Sequence, residues 1–200
     1  MKRFITTVLA LCMCLALGVT AFAADIDADG GSGTTPVYLS STVDGTPGGT
    51  PAATAMSVTL PTSFPMAMAQ NGDVTCADSC RIVNHSYGAV RVRSVSISAD
   101  NGWKITAYGG KDTLAREKVD SNKFGFALRL GGGSLYSTDA TSETGVTLIS
   151  APQTGCYMCG AGDTTGNSLA VYYDAIVTPL SHAVVDANIA DVVFVVEWDI

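Results

Sequence analysis

The sequence predicts an all-β protein, a single antiparallel β-sandwich of about nine or ten strands with Greek-key connections. Three observations carry this. From Thr54 onward apolar residues recur with period two, and turn residues interrupt the runs. The charged fraction is only 14%, while Gly, Ser, Thr and Ala are abundant. Helical periodicity is nearly absent, with "LAREKV" at 114–119 as the one candidate helical turn.

The first alternating stretch, "AMSVTLP", sets Met56, Val58 and Leu60 on one face. "FPMAMAQ" sets Met66 and Met68 together and runs into Asn71-Gly72. A second Asn-Gly pair, Asn101-Gly102, separates "AVRVRSVSISA" from "WKITAY". Asn-Gly accepts the positive φ angles of tight hairpin turns, so each pair predicts a hairpin.

The arm before Asn101 changes phase. Val90 and Val92 are apolar at even positions, then Val95, Ile97 and Ala99 at odd ones. A regular strand cannot turn both sets inward, because each step reverses the side chain. One extra residue near Arg93-Ser94 restores the phase, which predicts a β-bulge there.

"FGFALRL" groups Phe124, Phe126, Leu128 and Leu130. "GVTLIS" follows, then "SLAVYYDAIV" with Leu169, Val171, Tyr173, Ala175 and Val177 in phase. The last stretch, "VVFVVEWDI", sets Val192, Phe194, Val196, Trp198 and Ile200 on one face and Val193 and Val195 on the other. That pattern predicts a central strand, covered on both faces over Val192 to Val196, with Glu197 and Asp199 reaching solvent.

The N-terminus reads as an export signal over residues 1–23. Lys2 and Arg3 precede an apolar run, and Ala21-Phe22-Ala23 fits a small-x-small cleavage site. Residues 24–53 are rich in Gly, Thr and Pro and form an expected extended segment, in which "PVYLSSTV" could be a strand through Val37, Leu39 and Val43. The sandwich domain is then 54–200. The formal charge is −7, and removal of Lys2 and Arg3 takes it two units lower. Such a chain lacks the clustered cations that bind nucleic acid or anionic lipid. No second apolar run reaches membrane-spanning length.

Four cysteines remain after the signal: Cys76 and Cys80 in "CADSC", Cys156 and Cys159 in "CYMC". In an exported chain they are disulfide candidates, with three possible connectivities. Residues four apart on a regular strand lie about 13 Å apart, beyond an S–S bond. A Cys76–Cys80 bond therefore needs a tight turn, which Asp78-Ser79 could supply. A bond between the two pairs would close a loop of about 80 residues, worth roughly 4–5 kcal/mol in a chain-entropy treatment. Free thiols and a tetrathiolate zinc site also fit the spacing. The expectation is disulfides, with no metal and no cofactor.

Asp25, Asp27, Asp29 and Gly30 match the opening of a calcium loop, but its twelfth position is Pro36 where a bidentate Glu is needed. They read as a solvated acidic start. His85 and His182 have no motif partners, and hydrolase, zincin and phosphate-loop signatures are absent. No enzyme is expected. "NHS" at 84–86 fits an N-glycosylation acceptor.

The two tryptophans are each followed by x-Ile: "GWKITAY" (Trp103) and "VVEWDI" (Trp198). On inward strand positions they read as core anchors, with sugar stacking as the other role. Their layout, one after a long central strand and one in the last strand, resembles the WxL-type surface proteins of Gram-positive bacteria, over roughly Thr54 to Ile200. Ile stands where that family has Leu. The chain is similar more broadly to small exported Gram-positive β-sandwich proteins, including biofilm-fibre subunits. The resemblance implies a non-catalytic sandwich held non-covalently at the cell wall. The expected function is a secreted surface protein that binds cell-wall polysaccharide or another surface protein. One alternative is a fibre subunit in which residues 34–54 add as a strand to a neighbour's sheet edge. The other is an enzyme or accessory module acting on carbohydrate.

Overall fold

The structure is a computed structural model that describes residues 55–109, 111–139 and 145–200. These belong to one compact unit, Ala53–Ile200. The signal, the "PVYLSSTV" strand and the Asp25, Asp27 and Asp29 stretch lie outside the described residues.

The unit is all-β and sandwich-like, with short strands in open sheets. In chain order these are β1 (Val58–Thr59), β2 (Met66–Met68), β3 (Val74–Cys76), β4 (Arg81–Asn84), β5 (Val90–Ala99) and β6 (Lys104–Ile105). A helical turn, α1 (Lys111–Leu114), precedes β7 (Lys123–Leu130), β8 (Leu135–Ser137), β9 (Val146–Ile149) and β10 (Tyr157–Met158). β11 (Ser168–Val177) and β12 (Ala190–Trp198) complete the order. The helical turn starts three residues before the stretch expected from sequence, and Leu114, buried against the sheet, ends it.

One sheet runs β1-β4-β11-β7-β6, with β8 also on β7. The second runs β10-β5-β12, with β9 also on β5. β2 and β3 form a separate hairpin. Most neighbours are distant in sequence, as in β4–β11 and β5–β12, so the chain passes repeatedly between layers.

The bulge forms where the phase change requires it. Val195 pairs with Ser94 and Val196 with Val92, so Arg93 is the extra residue on β5. Val90, Val92, Val95 and Ile97 are all buried as a result. β7 and β11 pair in register from Leu130↔Val171 to Phe124↔Val177. Their in-phase residues Phe124, Phe126, Leu128, Leu130, Leu169, Val171, Tyr173 and Ala175 line the core. Phe64, on the approach to β2, joins the layers. Its ring meets Tyr173 edge-on at 4.8 Å and lies 6.2 Å from Phe194 of β12.

Two expectations are corrected. Asn101 (φ 50°) and Gly102 (φ 78°) do form a tight turn, closed by Trp103 N–H donating to Asp100 O. The flanking strands, however, do not pair with each other. β6 runs parallel to β7 in the other sheet, so this turn redirects the chain between layers. The second correction concerns β12. Among the described residues it pairs with β5 alone and is an edge strand, with Val193 52% and Val195 43% exposed. Alternation cannot report how many neighbours a strand has, and an outward Val looks the same in sequence as one covered by a second layer.

Candidate interaction surface

The exposed feature with the clearest physical signature is β12. Its inner row, Val192, Phe194, Val196 and Trp198, packs on the core but remains half-buried. Its outer row carries Asp191, Val193 and Val195, and then Glu197. At one end Glu197 and Asp199 are held by Arg91, at 2.8 and 3.2 Å, while Arg93 lies 3.8 Å from Glu197. These carboxylates hold the Arg91 guanidinium above its ordinary range, chiefly through the Glu197 hydrogen bond. Arg91 sits between Tyr157 of β10 and Glu197 of β12, giving a cross-strand row of ring, cation and carboxylate.

The two tryptophans do not form one face. Trp198 pairs with Val90 at one end of β5, whereas Trp103 follows the turn beyond Ala99 at the other. A ten-residue strand separates them by roughly 30 Å. Each packs on the core. Trp103 meets Phe124 edge-on at 6.4 Å. Trp198 lies over Gly88, where a Cβ would come within 3.1 Å of Cζ3.

All four cysteines are unbonded thiols in the structure. Cys156 is buried in the core beside β10, and Cys159, past its other end, is exposed. Cys159 hydrogen-bonds the Asp163 carboxylate, which also accepts from Thr165 Oγ1 and from the Thr165 and Gly166 amides. These donors hold Asp163 down at about 2. Cys76 and Cys80 flank a bend at residue 78. No group of three or more His, Cys, Asp or Glu placed to hold a metal ion occurs among the described residues, so the tetrathiolate arrangement is not formed.

His85 contacts Thr59 Oγ1 at 3.1 Å. His182 lies beside Ser181 and Asp120, a composition that invites comparison with a hydrolytic triad. The geometry differs: Ser181 Oγ donates to Asp120 at 2.5 Å rather than to a histidine base. His182 Nδ1 stands 3.4 Å from Ser181 Oγ and 3.7 Å from Asp120, on an exposed loop. A serine bonded directly to the carboxylate is not activated by the imidazole.

Asn84 of "NHS" is fully buried. Its amide donates to Gly88 O and Cys159 O, and its Oδ1 accepts from Ser86 N–H. In the fold it is a structural clamp and is inaccessible to a glycosylating enzyme. A buried asparagine carries no sequence signal that separates it from a surface one. No helix of the described residues is long and apolar enough to cross a membrane. Comparison with family models, characterised proteins and solved structures finds no match to this chain.

Proposed function

We propose that this protein is an exported, non-catalytic surface protein that engages its partner by strand addition at β12, as a subunit of an extracellular assembly. The observation that carries this reading is the edge strand with Val193 and Val195 turned to solvent. Edge strands are normally blunted by charge, Pro or a covering element, because their free backbone groups template another strand. Here the middle of the edge is apolar.

The donor this reading assigns is the N-terminal segment of a neighbouring copy. Residues 32–43 carry no charge, and Val37, Leu39 and Val43 alternate. Two β12 strands pairing antiparallel about Phe194 would instead oppose Asp191 to Glu197, a like-charge pair. Head-to-tail addition avoids this and builds an open chain of subunits. The test is sedimentation of the secreted protein over a concentration series. Concentration-dependent assemblies that vanish on deletion of residues 24–53 are the expected result. A monomer at every concentration would overturn the reading.

A second reading is binding to cell-wall glycan or a surface partner. The row Tyr157–Arg91–Glu197 supports it, since an exposed ring beside hydrogen-bonding charges suits sugars. Co-sedimentation of the monomer with purified peptidoglycan, lost in Tyr157→Ala, is the outcome that favours it.

A further inference from the structure

Cys76 and Cys80 are organised around one group, the hydroxyl of Tyr173. That hydroxyl donates to Pro65 O at 2.6 Å and accepts from Ala77 N–H at 3.1 Å, inside the Cys-Ala-Asp-Ser-Cys loop. The Cys80 thiol lies near the same hydroxyl and donates to Ser63 O at 3.9 Å. Cys76 ends β3 opposite Met66. Both cysteines therefore border the 63–66 segment and the Tyr173 ring tip, and the chain between them bends at residue 78. An extended strand would hold them too far apart, and the bend at residue 78 breaks that extension.

The other pair has the opposite arrangement. Cys156 faces the core and Cys159 faces solvent and Asp163, with β10 between them. Joining them would require β10 to leave its pairing with Val90 and Arg91.

We propose that Cys76 and Cys80 are a redox pair that closes into a local disulfide over the Tyr173 hydroxyl, while Cys156 and Cys159 remain separate thiols. The oxidant is a disulfide, such as an oxidised dithiol protein or oxidised glutathione. The Cys80 thiolate attacks one sulfur of that disulfide and one donor thiolate leaves. Cys76, having given up its proton, attacks the Cys80 sulfur of the mixed disulfide and displaces the second donor thiolate. Two protein thiols and one donor disulfide become one protein disulfide and two donor thiols. Burial pushes the Cys76 thiol up to about 11, so little of it is thiolate at neutral pH before its proton is removed.

The spacing of basic residues makes the test direct. No Lys or Arg lies between Arg3 and Arg81, and none follows Arg129, so trypsin separates the two cysteine pairs into different peptides. The full secreted chain is incubated with oxidised glutathione, alkylated under denaturing conditions and digested. The expected result is an intact peptide ending at Arg81 that has lost two hydrogens and carries no alkyl group, with Cys156 and Cys159 both alkylated. Cys156→Ala/Cys159→Ala should leave that outcome unchanged. A cross-link between the two peptides would overturn the proposal. So would a Cys156–Cys159 bond, or stable glutathione adducts on Cys76 or Cys80.

Discussion

Tyr173 shows how much one side chain in this fold secures. It sits in phase on β11, so its inward position is readable from alternation, but its hydroxyl contacts are not. The hydroxyl ties Pro65 and Ala77, over a hundred and nearly a hundred residues away, to the β11 sheet. Burial pushes the phenol up to about 12, so it stays a neutral donor. Tyr173→Phe leaves Ala77 N–H and Pro65 O without this partner and should cost about 1–2 kcal/mol. Thermal unfolding of the variant should fall by roughly 2–4 °C per kcal/mol lost. Asp163 gives a pH prediction of known sign. Its folded value, about 2, lies below its ordinary 3.8, so its support for the 160–167 turn is present above about pH 4. That support is lost as pH falls towards 2. The protection factors of the Thr165 and Gly166 amides, which discount the intrinsic slowing of exchange in acid, should fall over that window, and Asp163→Asn should flatten the response.

At the scale of elements, the bulge in β5 is a requirement of the fold. With Arg93 present, a strand without the bulge would turn Val90 and Val92 outward, and exposing two fully buried valines costs on the order of 3–6 kcal/mol, comparable to the whole stability of a typical domain. Deleting Arg93 would remove the residue the bulge takes up and leave Val90, Val92, Val95 and Ile97 in one regular phase, still facing the core and in register with β12. The deletion should therefore keep a cooperative urea-unfolding transition, as should Arg93→Ala at a cost under about 1 kcal/mol, and a deletion variant that fails to fold would count against Arg93 as the extra residue. The bulge was legible because it reconciles two apolar phases within one strand. The Asn101-Gly102 turn was legible too, since both residues take the positive φ that the dipeptide favours. The destination of the chain after that turn was not. A turn fixes local direction, while β6 is claimed by β7 through contacts nearly twenty residues downstream. Gly125 belongs to this junction. A Cβ there would come within 2.8 Å of Tyr108 Cα and 2.9 Å of Ala107 O, so its absence lets the chain after β6 cross closely over β7.

For the whole molecule, the edge position of β12 matters most. Sequence identified its inner row correctly and placed the strand in the wrong part of the sheet, because neighbour count depends on topology. The same error concealed the candidate surface, since Val193 and Val195 counted as covered. Val193→Lys and Val195→Lys test that surface without touching the core. Each should change monomer stability by under about 0.5 kcal/mol and reduce assembly at least tenfold in sedimentation. Unchanged assembly would remove β12 from the proposal. The β5–β12 pair has a further, kinetic consequence. Its partners lie about a hundred residues apart, and β5 is the strand on which β9, β10 and β12 all converge. Closing so long a loop is entropically costly before any contact compensates it. The second sheet therefore cannot be completed until residues 190–198 have joined it, and until then the spine of that sheet is unpaired on one side.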